Sequence, residues 1–156
     1  MDRAALWTRT GPIRPPASPD REHAIYPVSH AEIMELIACD TPRWGAPRGP
    51  TLAALIARQP HRAFAAVKRE GGAFCGHVIG GAQGVEVLVA DTAAAAAWLL
   101  HAAERAGTPG RAVVPAGNAR AAPVFEAAGY ARGGFVDGEP SSGRPETHYA
   151  LPDHDA

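Results

Sequence analysis

Two short apolar runs carry side chains that could handle a proton or a thiol. His77 and Cys75 sit in "AFCGHVIGG", and Glu86 sits in "GVEVLVAD". An imidazole titrates near neutrality and a carboxylate can accept a proton, so on neighbouring strands the two could share a relay that deprotonates a nucleophile. Glu86 equally suits a solvent-facing strand carboxylate. Cys75 lies two residues from His77 and so on the same strand face. Two strand steps nevertheless separate the side-chain roots by about 6.6 Å, too far for a thiol–imidazole hydrogen bond. Cys75 therefore reads as a small core residue.

Two other places invite chemistry. The strand-like "VLVAD" runs directly into the helix former "TAAAAAWLLHAAERAG", and a helix start offers unpaired N–H groups and the positive end of a dipole to an anion. Asp40, Gly45 and Arg48 mark a turn between two helical segments, where an Asp–Arg pair is either a structural clamp or a substrate contact. Metal chemistry finds no pattern: the seven histidines are scattered, with no Cys-x-x-Cys or His-x-x-x-His. A Walker-type loop, a Gly-x-Ser-x-Gly elbow and a dinucleotide fingerprint are also missing from the sequence.

The elements that must position these groups follow in order. Residues 1–22 carry Pro12, Pro15, Pro16 and Pro19 and no sustained period, which predicts a flexible arm that Trp7 could anchor. A short strand ending at Val28 precedes Ser29 and Glu32, a capping box, with Val28 and Ile33 as its apolar staple. Ile33, Leu36 and Ile37 give one helix a buried stripe; Leu52, Leu55 and Ile56 do the same for the next, which starts at Pro50 and stops at Pro60. Two strands joined at Gly71-Gly72 come next, then a strand with Val85, Val87 and Val89 on one face and Glu86 and Leu88 on the other. The alanine-rich helix closes at Gly107, "RAVVPAG" forms a strand, and Asn118 caps a helix that starts late or bends because of Pro123. "YARGGFVDG" and "ETHYAL" are two final strands around the polar loop "DGEPSSGRPE".

At 156 residues and 46 % hydrophobic the chain fits one domain, expected over 23–152, with a tail at 153–156. Fifteen basic against sixteen acidic residues leave a net charge of -1, which recommends neither nucleic acid nor an anionic membrane as partner. Two cysteines and no charged-then-apolar leader predict a reduced, cytoplasmic protein.

The order strand, helix, helix, three strands, helix, strand, helix, two strands resembles the GNAT superfamily of N-acyltransferases. More narrowly, "DTPRWGAPRGPTLAALIARQPHRAFAAVKREGGAFCGHVIGG", "VLVADTAAAAAWLL" and "VPAGNARAAPVFEAAGY" resemble the GNAT-like C-terminal half of YitH-type two-domain acetyltransferases. The resemblance implies an α+β fold with a mixed central sheet of about six to seven strands flanked by about four helices. It also implies acetyl-CoA or another acyl-CoA as cosubstrate and direct transfer to a small amine, without a metal.

Residue by residue, the resemblance places the coenzyme A pyrophosphate at the turn from Ala90 and Asp91 through Thr92, Ala93, Ala94 and Ala95. Asn118 would touch the pantetheine arm, and a backbone N–H of Leu88 or Val89 would polarise the thioester carbonyl. Glu86 falls where many GNAT enzymes keep a base, with His77 assisting. The acceptor would meet Asp40, Arg43, Trp44 and Arg48. Two departures stand out. The usual basic, glycine-punctuated loop is replaced by "ADTAAAAA", whose Asp91 suits an N-cap but opposes a pyrophosphate. Phe125 occupies the place of a tyrosine that reprotonates the thiolate and cannot donate a proton, leaving Tyr130 as the other candidate acid. A non-catalytic GNAT-like domain that binds a ligand or partner protein is the alternative, and a homodimer is compatible with either.

Overall fold

The computed structural model describes residues 3–16, 22–115, 121–137 and 148–150. The elements are β1 (Arg3–Thr8), β2 (His23–Pro27), α1 (Ile33–Trp44), α2 (Gly49–Arg58), β3 (Ala63–Lys68), β4 (Phe74–Gly80), β5 (Val85–Ala90), α3 (Ala93–Arg105), β6 (Arg111–Pro115), α4 (Ala121–Ala128), β7 (Ala131–Asp137) and β8 (His148–Ala150). One mixed sheet runs β2-β3-β4-β5-β6-β1-β7, with β8 paired to β5 off this path. This is the α+β, GNAT-like topology that the sequence led us to expect.

Local chemistry sets the element ends. Ser29 N–H and Oγ donate to Glu32 Oε1 at 3.2 and 2.6 Å ahead of α1, and Val28 and Ile33 join one apolar cluster, as a box with its staple requires. Gly71 and Gly72, with φ of +89° and +69°, make the β3–β4 hairpin. Thr92 Oγ1 accepts from Ala95 N–H at 3.1 Å and caps α3. Pro123 lies in the first turn of α4, where its missing N–H costs little, because the helix begins only at Ala121.

β5 is buried along its length, with Glu86 its one polar residue, because both faces are covered. On one side Val87 and Val89 pack with Leu36, Leu52, Leu55 and Ile56 of α1 and α2. On the other, Leu88 packs with Leu99 and Leu100 of α3 and Phe125 of α4. Gly76 permits that second layer: a Cβ there would come within 2.7 Å of Val89 O and 3.1 Å of Leu99 Cδ1.

Two bulges change the faces expected from strict alternation. In β4, Ala66 pairs with Gly76 and Val67 with Phe74, so Cys75 is the extra residue. It turns into the α3–α4 cluster, donating to Ala66 O at 3.4 Å, while His77 meets α1. Cys75 and His77 therefore do not share a face. In β5, Ile79 pairs with Val87 and Gly80 with Val85, so Glu86 is the extra residue and Val85 joins Leu88 instead of Val87.

The largest correction concerns residues 1–22. Arg3–Thr8, expected in a flexible arm, form β1 inside the sheet, antiparallel to both β6 and β7. Trp7 is 4 % exposed, its ring 6.1 Å from that of Phe125. The segment after it stays attached through Arg9 N–H to Gly110 O and Arg14 N–H to Ala128 O. Proline density misled the sequence reading because the prolines all follow the six residues that pair. Residues 138–147 and the expected tail at 153–156 lie outside the described residues, where no helix is long and apolar enough to cross a membrane among those described.

Trp7→Ala tests the placement of β1. Removing a buried tryptophan should cost about 3–5 kcal/mol in urea denaturation, whereas a substitution in a loose arm would leave the midpoint unchanged.

Candidate functional site

Among the described residues, two fully buried polar groups meet where α1 crosses β4. Asp40 is wholly buried, and Arg48 forks onto it with Nε to Oδ2 at 2.7 Å and Nη2 to Oδ1 at 2.6 Å. His77 Nε2 reaches the same Oδ1 at 2.9 Å and is also wholly buried. Burial alone would push the Asp40 carboxyl up, but the bonds from Arg48 and His77 outweigh it and hold the group at about 2. Burial pushes His77 down, against the pull of Asp40. A neutral His77 beside an ionised carboxylate must donate from Nε2, which leaves Nδ1 as a buried acceptor with no described partner. The Arg48 guanidinium also stacks 4.1 Å from the Trp44 ring centre, and Trp44 is 37 % exposed.

One turn along α1, Arg43 leaves this cluster and spans to the end of β5. Its Nε and Nη2 donate to Asp91 Oδ1 and Oδ2 at 2.6 and 2.7 Å, and Nη1 donates to Cys39 O at 2.9 Å. Asp91 therefore does not cap α3; Thr92 does, and the carboxylate is neutralised by a fork–fork pair. Ala95 N–H is taken by the cap, while Ala93 and Ala94 N–H have no bond partner among the described residues. The sequence placed Arg43 with the acceptor; the structure brings it to the β5–α3 turn. Cys39 beside it is pushed up to about 11 by burial and is a poor nucleophile.

Glu86 projects from the β5 bulge over Gly81, so closely that a Cβ on Gly81 would come within 2.2 Å of Oε1. Burial raises its carboxyl above the ordinary value, and the charge of Arg58 at the end of α2 opposes the rise. His77 pairs with Val89, three residues from Glu86, a separation of about 10 Å along a strand. The expected direct relay between His77 and Glu86 is therefore not formed; His77 is spoken for by Asp40.

The β5 edge is the third feature. Parallel β6 pairs with β5 only at Val85–Ala112. At that point Gly84, at φ +147°, lets the strands touch, since a Cβ would lie 2.1 Å from Arg111 O. Beyond it β6 leaves, and β8 pairs in parallel with Val87, Leu88 and Val89. Because β4 holds the other edge of β5 from Val85 to Ala90, β8 lies on the edge β6 vacated. The backbone of Leu88 and Val89, expected to meet a thioester, is thus the backbone that β8 pairs with.

Phe125 and the candidate acid Tyr130 are elsewhere. Phe125 is fully buried between Trp7 and Tyr130. The Tyr130 hydroxyl donates to Glu104, which also binds Arg9, and burial followed by the Glu104 bond raises its pKa. Glu104 is eleven residues past Ala93 in α3, about 16 Å down the helix from its start. Tyr130 thus serves to pin β1 and α4 to α3 and is too remote to protonate a leaving group at the β5–α3 turn. Asn118 lies outside the described residues, which contain no group of three potential metal ligands. The buried Asp40–His77 bond and the Arg43–Asp91 fork were missed from sequence; Asp40 and Arg43 being one helical turn apart was the available signal.

Asp40→Asn should destabilise the fold by about 3–5 kcal/mol in denaturant titration, because it strands the buried Arg48 charge. The carboxyl is lower in the folded state than its unfolded 3.8, so its stabilisation is complete above that value and lost as pH falls towards about 2. His77 is also depressed, so stability falls as pH drops below its unfolded 6.5. In thermal melts against pH, Asp40→Asn should flatten the acid limb.

No protein-family profile and no curated protein matches the sequence. Among solved structures, the fold is similar to that of a Pyrococcus horikoshii protein described as a candidate acetyltransferase, with a TM-score of 0.60 and 15 % identity. The match covers 86 % of this chain and 43 % of that one, so this chain spans less than half of its structural neighbour. At that identity the likeness concerns the fold alone.

Proposed function

We propose that the chain is an acyl-CoA-dependent N-acyltransferase that moves an acetyl or related acyl group directly to a small amine. One observation carries the reading. The β5–α3 turn combines two open N–H groups, Ala93 and Ala94, with an Asp91 already neutralised by Arg43. An anion at this helix start would meet the dipole and the half-exposed guanidinium without an opposing free carboxylate. The Arg43–Asp91 pair is net neutral, so it removes the opposition of Asp91 and leaves the open N–H groups and the dipole to attract the anion.

In the reaction, the amine nitrogen attacks the thioester carbonyl, the C–N bond forms, the C–S bond breaks, and the nitrogen's proton passes by water to Glu86. Backbone N–H groups of Leu88 or Val89 would hold the developing oxyanion. A carboxylate raised by burial is a stronger base than an ordinary glutamate, and the missing Cβ of Gly81 is what lets the side chain lie there. Arg48 pairs with both Asp40 oxygens and stacks on Trp44, so Trp44, not the Asp40 charge, faces an acceptor. His77 positions Asp40 and touches no reacting atom.

A second reading, a GNAT-like domain that binds without catalysing, is favoured by Phe125 and Tyr130. Both are tied into the core, which leaves neither of them as donor to the departing thiolate.

Calorimetric titration with acetyl-CoA, and with desulfo-CoA as the unreactive control, tests the cofactor site. Ala94→Glu should abolish binding in a folded protein; unchanged affinity would move the site away from α3. Glu86→Gln should lower kcat at least about tenfold, the low end of general-base contributions being near a hundredfold, with acyl-CoA affinity retained. Because the basic form is the active one, kcat of the parent should rise with pH through the raised carboxyl value, and a stopped assay of Glu86→Gln should lose that limb. An unchanged profile would remove Glu86 from the reaction.

A further inference from the structure

We propose that β8 is a self-inhibitory strand: the chain's own His148–Ala150 backbone fills the β5 edge that the arm of an acyl-CoA must use, and binding requires its release. The inference rests on the acyl-CoA reading above and adds to it a competitor built into the same polypeptide.

Three observations converge on it. The edge exists because β6 parts from β5 after the single pairing of Val85 with Ala112. β8 occupies that edge across Val87, Leu88 and Val89, leaving none of the three available to a ligand. α1, the helix that carries Asp40 and Arg43, passes against β8, so the occupied edge lies beside the Arg43–Asp91 pair. A cosubstrate whose phosphates rest at Ala93 and Ala94 and whose thioester meets Leu88 or Val89 has to lay its amide-bearing arm along this same backbone. An extended peptide and an extended amide chain compete for the same donors and acceptors.

β8 is also built to leave. Among the described residues it pairs with β5 alone, whereas β3, β4, β5 and β6 are each held on two sides. A ligand that binds only the open form has its affinity reduced by the fraction open. Closure of about nine molecules in ten therefore weakens acyl-CoA binding about tenfold.

The test compares the full-length parent with Tyr149→Pro, which removes a backbone donor at the centre of β8. Each is titrated by calorimetry with acetyl-CoA and with the nucleotide end of coenzyme A alone, which lacks the arm. A melting curve verifies that the variant is folded. The expected result is acetyl-CoA binding at least about tenfold tighter in the variant, with the armless nucleotide bound equally by both. Hydrogen exchange on the unmodified parent gives the second measurement: saturating acetyl-CoA should deprotect the amides of 148–150 while those of Val87–Val89 stay protected. Acetyl-CoA binding that is equal in both proteins, with 148–150 still protected, would overturn the inhibitory strand and leave the transferase reading standing. Failure of both proteins to bind either ligand would overturn the transferase reading itself, and the inhibitory strand with it.

Discussion

A single carboxylate buried under α1 organises the functional half of this protein. Asp40 binds Arg48 across the α1–α2 turn and His77 at the middle of β4. A charge so placed is costly to bury and becomes tolerable only when its partners are present with good geometry. The requirement fixes three things together: the angle between α1 and α2, the height of α1 over the sheet, and the stacking of Trp44 on Arg48. It also sets where the next turn of α1 points, and that turn carries Arg43 to Asp91. The contribution of the network is geometric more than energetic, since apolar residues of the same volume could hold the helix at least as firmly.

From that anchor, the two faces of β5 acquire different duties. The α3–α4 face is a conventional core in which Leu88, Leu99, Leu100 and Phe125 exclude water, closed at its rim by Glu104, Arg9 and Tyr130. The α1–α2 face holds the polar groups, and the bulge at Glu86 delivers a carboxylate onto it that strict alternation would have sent into the opposite core. A bulge at Cys75 performs the reverse service, sending a thiol into the apolar side and leaving His77 for Asp40. Both irregularities move one residue across the sheet at the cost of one unpaired ladder position.

How much of this was legible in the sequence depends on range. Local signals read well: the Ser29–Glu32 box, the Gly71-Gly72 hairpin, the apolar stripes of α1 and α2, and the strand-to-helix passage at Val87–Ala96 all rest on neighbours within a few residues. The faces of Cys75 and Val85 did not, because a bulge is a relation between two strands and leaves no trace in either alone. The fate of Arg3–Thr8 was hidden for the same reason. Its alternating Ala5 and Trp7 are weak evidence until β6 and β7, more than a hundred residues later, supply two edges for it to join. At the site, Asp40, Arg43, Trp44, Arg48, Glu86 and Asp91 were named correctly as polar groups worth explaining. The Asp40–Arg48 pair was anticipated; the partners of Arg43 and His77 were not, since an Arg–Asp fork over 48 residues of chain separation is a property of the folded state.

The β5 edge joins fold and chemistry in one problem. A catalyst that holds a carbonyl with strand N–H groups must keep those groups unpaired by its own sheet, and an unpaired stretch of apolar strand is a template for any other strand it meets. Departure of β6 after Val85 creates such a stretch in the middle of the sheet, where neither a lysine nor a proline on the edge can protect it without spoiling the site. Covering it with a parallel segment of the same chain satisfies the backbone, while the Ala93 and Ala94 N–H groups at the start of α3 have no partner among the described residues. A longer cover would protect better and release worse. Protection of the β5 edge and affinity for an extended ligand then become two readings of one equilibrium.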